Sequence, residues 1–168
     1  MSALIRNRQI VPNDVIILDD EAAAPATGNF VVSLTRWQKD HAQLRSLSVD
    51  VGVRLPNTAD LTTIWTELQD RKLIVLDFPG FADGRAYSQA RLLRDRYGFK
   101  GEILAVGAAV VRDQLLGMQR SGINSFLLRP DQDPKVCLTA FDDFASAYQR
   151  ATDKEMFIPR EHRRSNSL

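Results

Sequence analysis

The apolar run Leu73-Ile74-Val75-Leu76, ended by Asp77 and followed by a Pro79-Gly80 turn signal and a segment of helical spacing, constrains this chain most. An uninterrupted apolar strand of this kind is buried on both faces, as in the middle of a parallel sheet. Downstream, Ala86, Ala90, Leu93 and Tyr97 recur at three and four residues and define one helix face, while Arg85, Arg91, Arg94 and Arg96 lie elsewhere around it. Asp83 stands where an N-cap or first-turn anion belongs, before a helix beginning near Gly84.

The same alternation continues on both sides. Val15–Leu18 and Phe30–Leu34 read as two strands joined by the flexible DDEAAAPATGN, and Thr35 as the cap of a helix through Trp37, His41, Leu44 and Leu47. Strands over Asp50–Leu55, Glu102–Val106 and Asn124–Arg129 alternate with helices opened by Asp60 and running from Arg112 to Ser121. Pro134 opens a last amphipathic helix through Phe141, Phe144 and Tyr148. Strands alternating with helices imply βαβ units, so the expected fold is a three-layer α/β domain with a mostly parallel, flavodoxin-like or receiver-like sheet and an N-terminal strand pair. A length of 168 residues with 44% hydrophobic residues fits one domain. We place it at 1–151, with an extension at 1–29 and a polar tail at 152–168.

Composition narrows the chemistry. With 22 basic and 21 acidic residues the formal net charge is +1, so no global field favours nucleic acid or a membrane, and any anion site must be local. The lone Cys137 excludes an intrachain disulfide or a CxxC redox pair and suits a reducing cytoplasm. The amino terminus lacks the apolar segment of a signal peptide, and no run reaches membrane-spanning length, so a soluble, unprocessed protein is expected. Only His41 and His162 are available as histidines, one on a helix face and one in a basic tail, which offers neither a Ser-His-acid triad around Tyr87 and Ser88 nor a metal-binding spacing. No G-x-G-x-x-G follows a strand. No cofactor is therefore evident, although a flavodoxin-like edge could hold a flavin without that loop.

In a parallel sheet the loops after the strands gather at one edge, where ligands bind. Arg54, Asp77, Asp83, Gly84, Arg85, Tyr87, Asp113, Gln114 and Arg129 are the candidate anion- or partner-binding residues there. A cation near a helix start opposes the helix dipole, so Arg85 calls for a carboxylate, with Asp77 the expected partner, or for a bound oxyanion held together with Arg54 or Arg129. Trp37, Trp65 and Phe141 have the spacing of core aromatics, and Arg91, Arg94 and Arg96 that of a solvated helix face or a docking surface for an acidic partner.

Two resemblances add to this reading. LIVLDFPGFADG, ILAVGA and SGINSFLLRP resemble the second half of a bacterial receiver domain, but Gly107 and Arg129 stand where the receiver's hydroxyl residue and lysine belong, so this likeness implies fold and not phosphotransfer. From Val31 onward the chain resembles a bacterial family of unknown function whose genes commonly lie beside sulfite reductase. VVSLTRW, GVRL, FADGRAYSQARLLRDRYGFKGE, Asp113-Gln114 and SGINSF carry that likeness. Leu104, Ala108 and Gly122-Ile123-Asn124 depart from the family's usual Arg, Asp and GFD. Members are often labelled oxidoreductases of sulfite reduction. The resemblance implies an accessory protein of assimilatory sulfite reduction that binds the reductase haemoprotein or its electron donor. An oxidoreductase with a borrowed flavin and a non-catalytic anion-sensing or receiver-like module are the alternatives.

Overall fold

The computed structural model describes residues 2–143. In chain order the strands are β1 (Leu4–Arg6), β2 (Gln9–Val11), β3 (Phe30–Ser33), β4 (Val51–Leu55), β5 (Leu73–Asp77), β6 (Glu102–Val106) and β7 (Ser125–Leu127). The helices are α1 (Leu34–Arg45), α2 (Leu61–Leu68), α3 (Arg85–Arg91), continued by a π-helical turn over Leu92–Arg96, α4 (Arg112–Arg120) and α5 (Pro134–Thr139). All seven strands join one sheet in the order β2-β1-β7-β6-β5-β4-β3. From β3 to β7 neighbours are parallel, and β1 runs antiparallel to both β2 and β7.

This is the mostly parallel α/β sheet with an N-terminal strand pair that the sequence implies, and the alternation of strands and helices is flavodoxin-like. The pair is, however, a tight hairpin of Leu4–Arg6 and Gln9–Val11, turned through Asn7 and Arg8, both at positive φ, and not the Val15–Leu18 and Phe30–Leu34 pair read from the sequence. Two consecutive left-handed residues give the twist that a two-residue hairpin needs. Val15–Leu18, read as a strand, makes only one parallel bridge, Ile17 to Val31. Helix caps follow local chemistry. Ser33, not Thr35, caps α1 by accepting from Arg36 N, Asp60 caps α2 through Thr62 N, and Asp133 caps α5 through Lys135 N beside Pro134. After α5 a 3-10 turn covers Ala140–Asp142. Phe144, Tyr148 and the polar tail lie outside the described residues.

The parallel strands follow one another in chain order, and right-handed crossovers between such strands fall on a single side. The packing agrees. Trp37, Leu61, Leu68, Ala90, Leu93, Leu115 and Cys137 from the helices share one core with Val32, Val53, Ile74, Ile103 and Phe126 from the strands. Val31, Val75, Leu104 and Leu4 point the other way and form a smaller cluster with no helical residue in it. The second covering layer is, among the described residues, irregular chain. Between β2 at one edge of the sheet and Ile17 beside β3 at the other, the chain crosses under that face, and Val15 packs on the smaller cluster. Asp14 ties this strap to Arg6 at 2.9 Å, and the same guanidinium bonds Glu102 of β6 at 2.9 Å.

The connection from α3 to β6 is held by Arg94. Its guanidinium donates to the carbonyls of Gly122 (2.8 Å), Phe99 (2.6 Å) and Gly101 (2.9 Å), and burial lowers its pKa from the usual arginine value. Part-buried, it turns back onto the chain's own backbone and is not part of the solvated helix face expected from the sequence. Gly101 beside it has no room for a Cβ, which would overlap the Phe99 ring and come within 2.5 Å of the Lys72 carbonyl. Removing the guanidinium leaves three part-buried carbonyls without a partner, each worth on the order of 1 kcal/mol. Arg94→Ala is therefore expected to lower unfolding free energy by about 2–4 kcal/mol in urea titration. A loss under about 0.5 kcal/mol would show that water replaces the guanidinium freely.

Candidate functional site

The carboxyl ends of β4 to β7 collect the sequence-predicted residues in several separate groups. Arg54 of β4 is in register with Val75 of β5, so Asp77, two residues on, shares its face one step along the diagonal. The two side chains form a bidentate pair, with Nη2 to Oδ1 at 2.7 Å and Nε to Oδ2 at 3.1 Å. Asp77 thus takes Arg54 as its partner and not Arg85.

Arg85 is matched instead by Asp83. Its Nε and Nη2 donate to the two carboxylate oxygens at 2.9 and 2.5 Å, and its backbone N–H donates to Oδ1 at 3.2 Å. Asn57 Nδ2, from the loop after β4, donates to the same carboxylate at 2.5 Å. The guanidinium hydrogen bonds, with the backbone bond next, hold the Asp83 carboxyl well below the usual carboxylate range, and the pairing raises the Arg85 pKa. Gly84 occupies the cap position of α3 at φ −84 and ψ 0, while Asp83 satisfies the first helical amide from one residue earlier. The helix-start amide that could have faced a ligand is therefore bonded within the chain.

A third group joins α3 to α4. Tyr87 Oη donates to Gln114 Oε1 at 2.7 Å, its ring meets Phe78 edge-on at 5.1 Å between centroids, and burial raises its pKa. Asp113, next to Gln114, is exposed and lies 3.7 Å from Arg112. Arg129 forms its own bidentate pair with Asp131, at 2.6 and 2.7 Å, with a longer bond to the Ala108 carbonyl. Arg54, Arg85 and Arg129 thus sit in three different carboxylate pairs, and an oxyanion at any of them competes with the carboxylate already present.

Gly107, where a receiver carries its hydroxyl residue, has φ +117, and a Cβ there would overlap the Phe78 carbonyl. No side chain fits that position without moving the end of β5. Among the described residues no group of three His, Cys, Asp or Glu side chains is arranged to hold a metal ion. His41 is exposed on α1, and Cys137 is buried with a raised pKa caused first by desolvation.

Sequence reasoning missed Phe81. It is 58% exposed at the tip of the β5–α3 loop, next to the Asp83–Arg85 pair in sequence. Its signal was its position between Pro79-Gly80 and Asp83-Gly84, where two turn signals keep a side chain away from the core. It also missed Asp131 as the partner of Arg129 and a cavity of about 140 Å³ at the opposite edge, over Gly52, Val31 and Leu73.

The geometry defines an α/β protein whose carboxyl edge carries three preformed arginine–carboxylate pairs and, on the β5–α3 loop, the exposed Phe81. Residues 52–158 match the family described as a bacterial protein of unknown function (DUF934), and the chain belongs to that family. It is also 27% identical over 109 residues to GTPase Der of Cellvibrio japonicus (strain Ueda107), covering 61% of this chain and 22% of that protein. GTPase Der of Aeromonas salmonicida (strain A449) is 28% identical over 109 residues, with 61% and 21% covered. The chain spans about a fifth of the length of these curated relatives. No solved structure matches the chain.

The ion pairs set a pH dependence. Asp131 is lowered from 3.8 to about 2, chiefly by its hydrogen bonds from Arg129. A depressed carboxylate contributes stability that is complete above its unfolded value, 3.8, and is lost as pH falls through its folded value, about 2. Carboxyl carbon NMR is expected to show Asp131 titrating near 2, and nearer 3.8 in Arg129→Ala. An unchanged titration in that variant would mean the pair does not persist in solution.

Proposed function

We propose that this protein is an accessory component of assimilatory sulfite reduction, docking through the carboxyl edge of its sheet onto the sulfite reductase haemoprotein or its electron donor. The observation that carries the docking is Phe81, exposed on a loop whose other aromatic, Phe78, is fully buried. An aromatic fixed on a short, anchored loop and flanked by bidentate arginines has the composition of an interface hot spot, because such residues bury area at low entropic cost. The pathway assignment rests on the family resemblance. Sulfite reduction moves electrons through cofactors, and the chain's own side chains offer no cysteine pair and no dinucleotide loop, so this reading leaves the redox step to the partner. The likeness to GTPase Der does not extend it to nucleotide hydrolysis, since the sequence contains no G-x-x-x-x-G-K-[ST].

The test is direct binding of purified protein to the reductase haemoprotein and to its electron donor, measured separately. One of them is expected to bind with a Kd under about 100 µM, and Phe81→Ala to weaken that binding by about tenfold or more with the thermal midpoint unchanged. Absence of binding to either partner would overturn the accessory role. A stoichiometric flavin absorbance in the purified protein would replace it with the oxidoreductase reading.

A further inference from the structure

Positive charge that is not already spent on carboxylates lies at the edge opposite Phe81. The end of α2 and the loop from Tyr97 to Gly101 enclose an open groove lined by Trp65, Arg71, Lys72, Tyr97, Lys100 and Asp70. Trp65 and Tyr97 are stacked at 4.6 Å between centroids with 17° between their planes, and Arg96 lies over the Tyr97 ring at 5.7 Å. Asp70 is engaged by Arg71 at 3.0 Å and Arg45 at 3.2 Å, and Lys72 by Asp50 at 2.9 Å. Lys100 is exposed and forms no ion pair among the described residues. Of the lining cations Arg71 is shared with Asp70 and Lys72 with Asp50, which leaves Lys100 unpaired, and Arg96, exposed beside the Tyr97 ring, is a second cation next to the groove.

The wall carrying Lys100 is also preformed. Arg94 bonds the Phe99 and Gly101 carbonyls on either side of it, and Phe99 N–H donates to the Leu93 carbonyl at 2.8 Å. Trp65 meets the Phe99 ring edge-on at 6.2 Å, so the aromatic floor and the basic wall form one unit. At Gly98, with φ +63, a Cβ would meet no atom within 4 Å, so the groove mouth is open there. A rigid wall that presents an unpaired ammonium beside a stacked aromatic pair loses little entropy on binding an anion.

We propose that this groove is a second docking surface, and that its occupant is an acidic segment of a partner protein, with carboxylates at Lys100 and Arg96 and an apolar side chain against Trp65 and Tyr97. The surface does not depend on the carboxyl-edge reading, and a molecule with both would bind two partners at opposite edges. Cation-lined surfaces select acidic partners chiefly through complementarity and on-rate, so binding should weaken with salt.

The experiment is fluorescence anisotropy with the full-length protein and a labelled peptide of Glu and Asp around a central Phe. The controls are the same peptide with Gln and Asn for the acids, and a single-stranded oligothymidine. The acidic peptide is expected to bind at low salt and the neutral one at least about tenfold more weakly. Lys100→Glu and Arg96→Glu should each weaken the acidic peptide by about tenfold, while Phe81→Ala leaves it unchanged. Both reversals are at exposed positions, and circular dichroism checks that the fold is retained. Equal binding of acidic and neutral peptides, or indifference to both reversals, would overturn the proposal. Tighter binding of the oligothymidine would overturn it in favour of a nucleic-acid surface. Loss of the Phe81-dependent partner with retention of this peptide would separate failure of the carboxyl-edge reading from failure of this one.

Discussion

A parallel sheet whose strands follow one another in chain order places its right-handed crossovers on one side, and the rest of this structure answers that constraint. The apolar residues on the other side still have to leave water. The chain meets that need before its first parallel strand begins. It starts at the far edge with a hairpin, crosses beneath the sheet and enters β3 at the opposite edge. Arg6 is the pivot of this arrangement, because one guanidinium links the hairpin to the strap through Asp14 and to β6 through Glu102. Its pKa is raised, first by the Asp14 hydrogen bond, against an opposing desolvation. Part-buried pairs of this geometry specify where a segment lies more than they add net stability.

The Asp83–Glu102 segment, which carries the family resemblance, is largely a structural device once its partners are known. Asp83 and Arg85 close the loop before α3, Tyr87 reaches α4 through Gln114, and Gln89 bonds the carbonyls of Pro56 and Ala59. Arg94 then gathers three carbonyls, Gly98 and Gly101 allow the turn, and Glu102 returns to Arg6. A segment so tied to its surroundings gives precise positions to the few side chains it leaves unpaired. Lys100 is one of these.

The elements that were legible in the sequence are those set by local periodicity. The apolar run of β5, the β6 run, the Asp60 cap, the three-and-four spacing on α3 and the extent of α4 needed no tertiary information. The β1–β2 hairpin was not legible, because its strands have three residues each and its turn is Asn-Arg and not Asn-Gly. Charge pairing failed for a different reason. Whether Asp77 meets Arg54 or Arg85 depends on strand register, and Arg54 opposite Val75 decides it in favour of the neighbouring strand. The inward turn of Arg94 was likewise invisible, because its partners are backbone carbonyls and leave no mark in side-chain spacing.

Pairing also determines what each edge of the sheet can recognise. At the carboxyl edge a small oxyanion gains little, since binding at Arg85 must first release Asp83, whose carboxylate is held there by its own backbone bond and by Asn57. A protein surface faces no such competition. It can bury Phe81 while leaving the ion pairs intact, and the outward donors of a guanidinium already fixed in a bidentate pair remain usable. The two phenylalanines of the loop make the point physically. Phe78 is buried edge-on against Tyr87 just after β5, whereas Phe81, three residues later, stands in solvent. Phe81 left in solvent forgoes the hydrophobic free energy that burial would add, and a partner covering it would supply that free energy on binding.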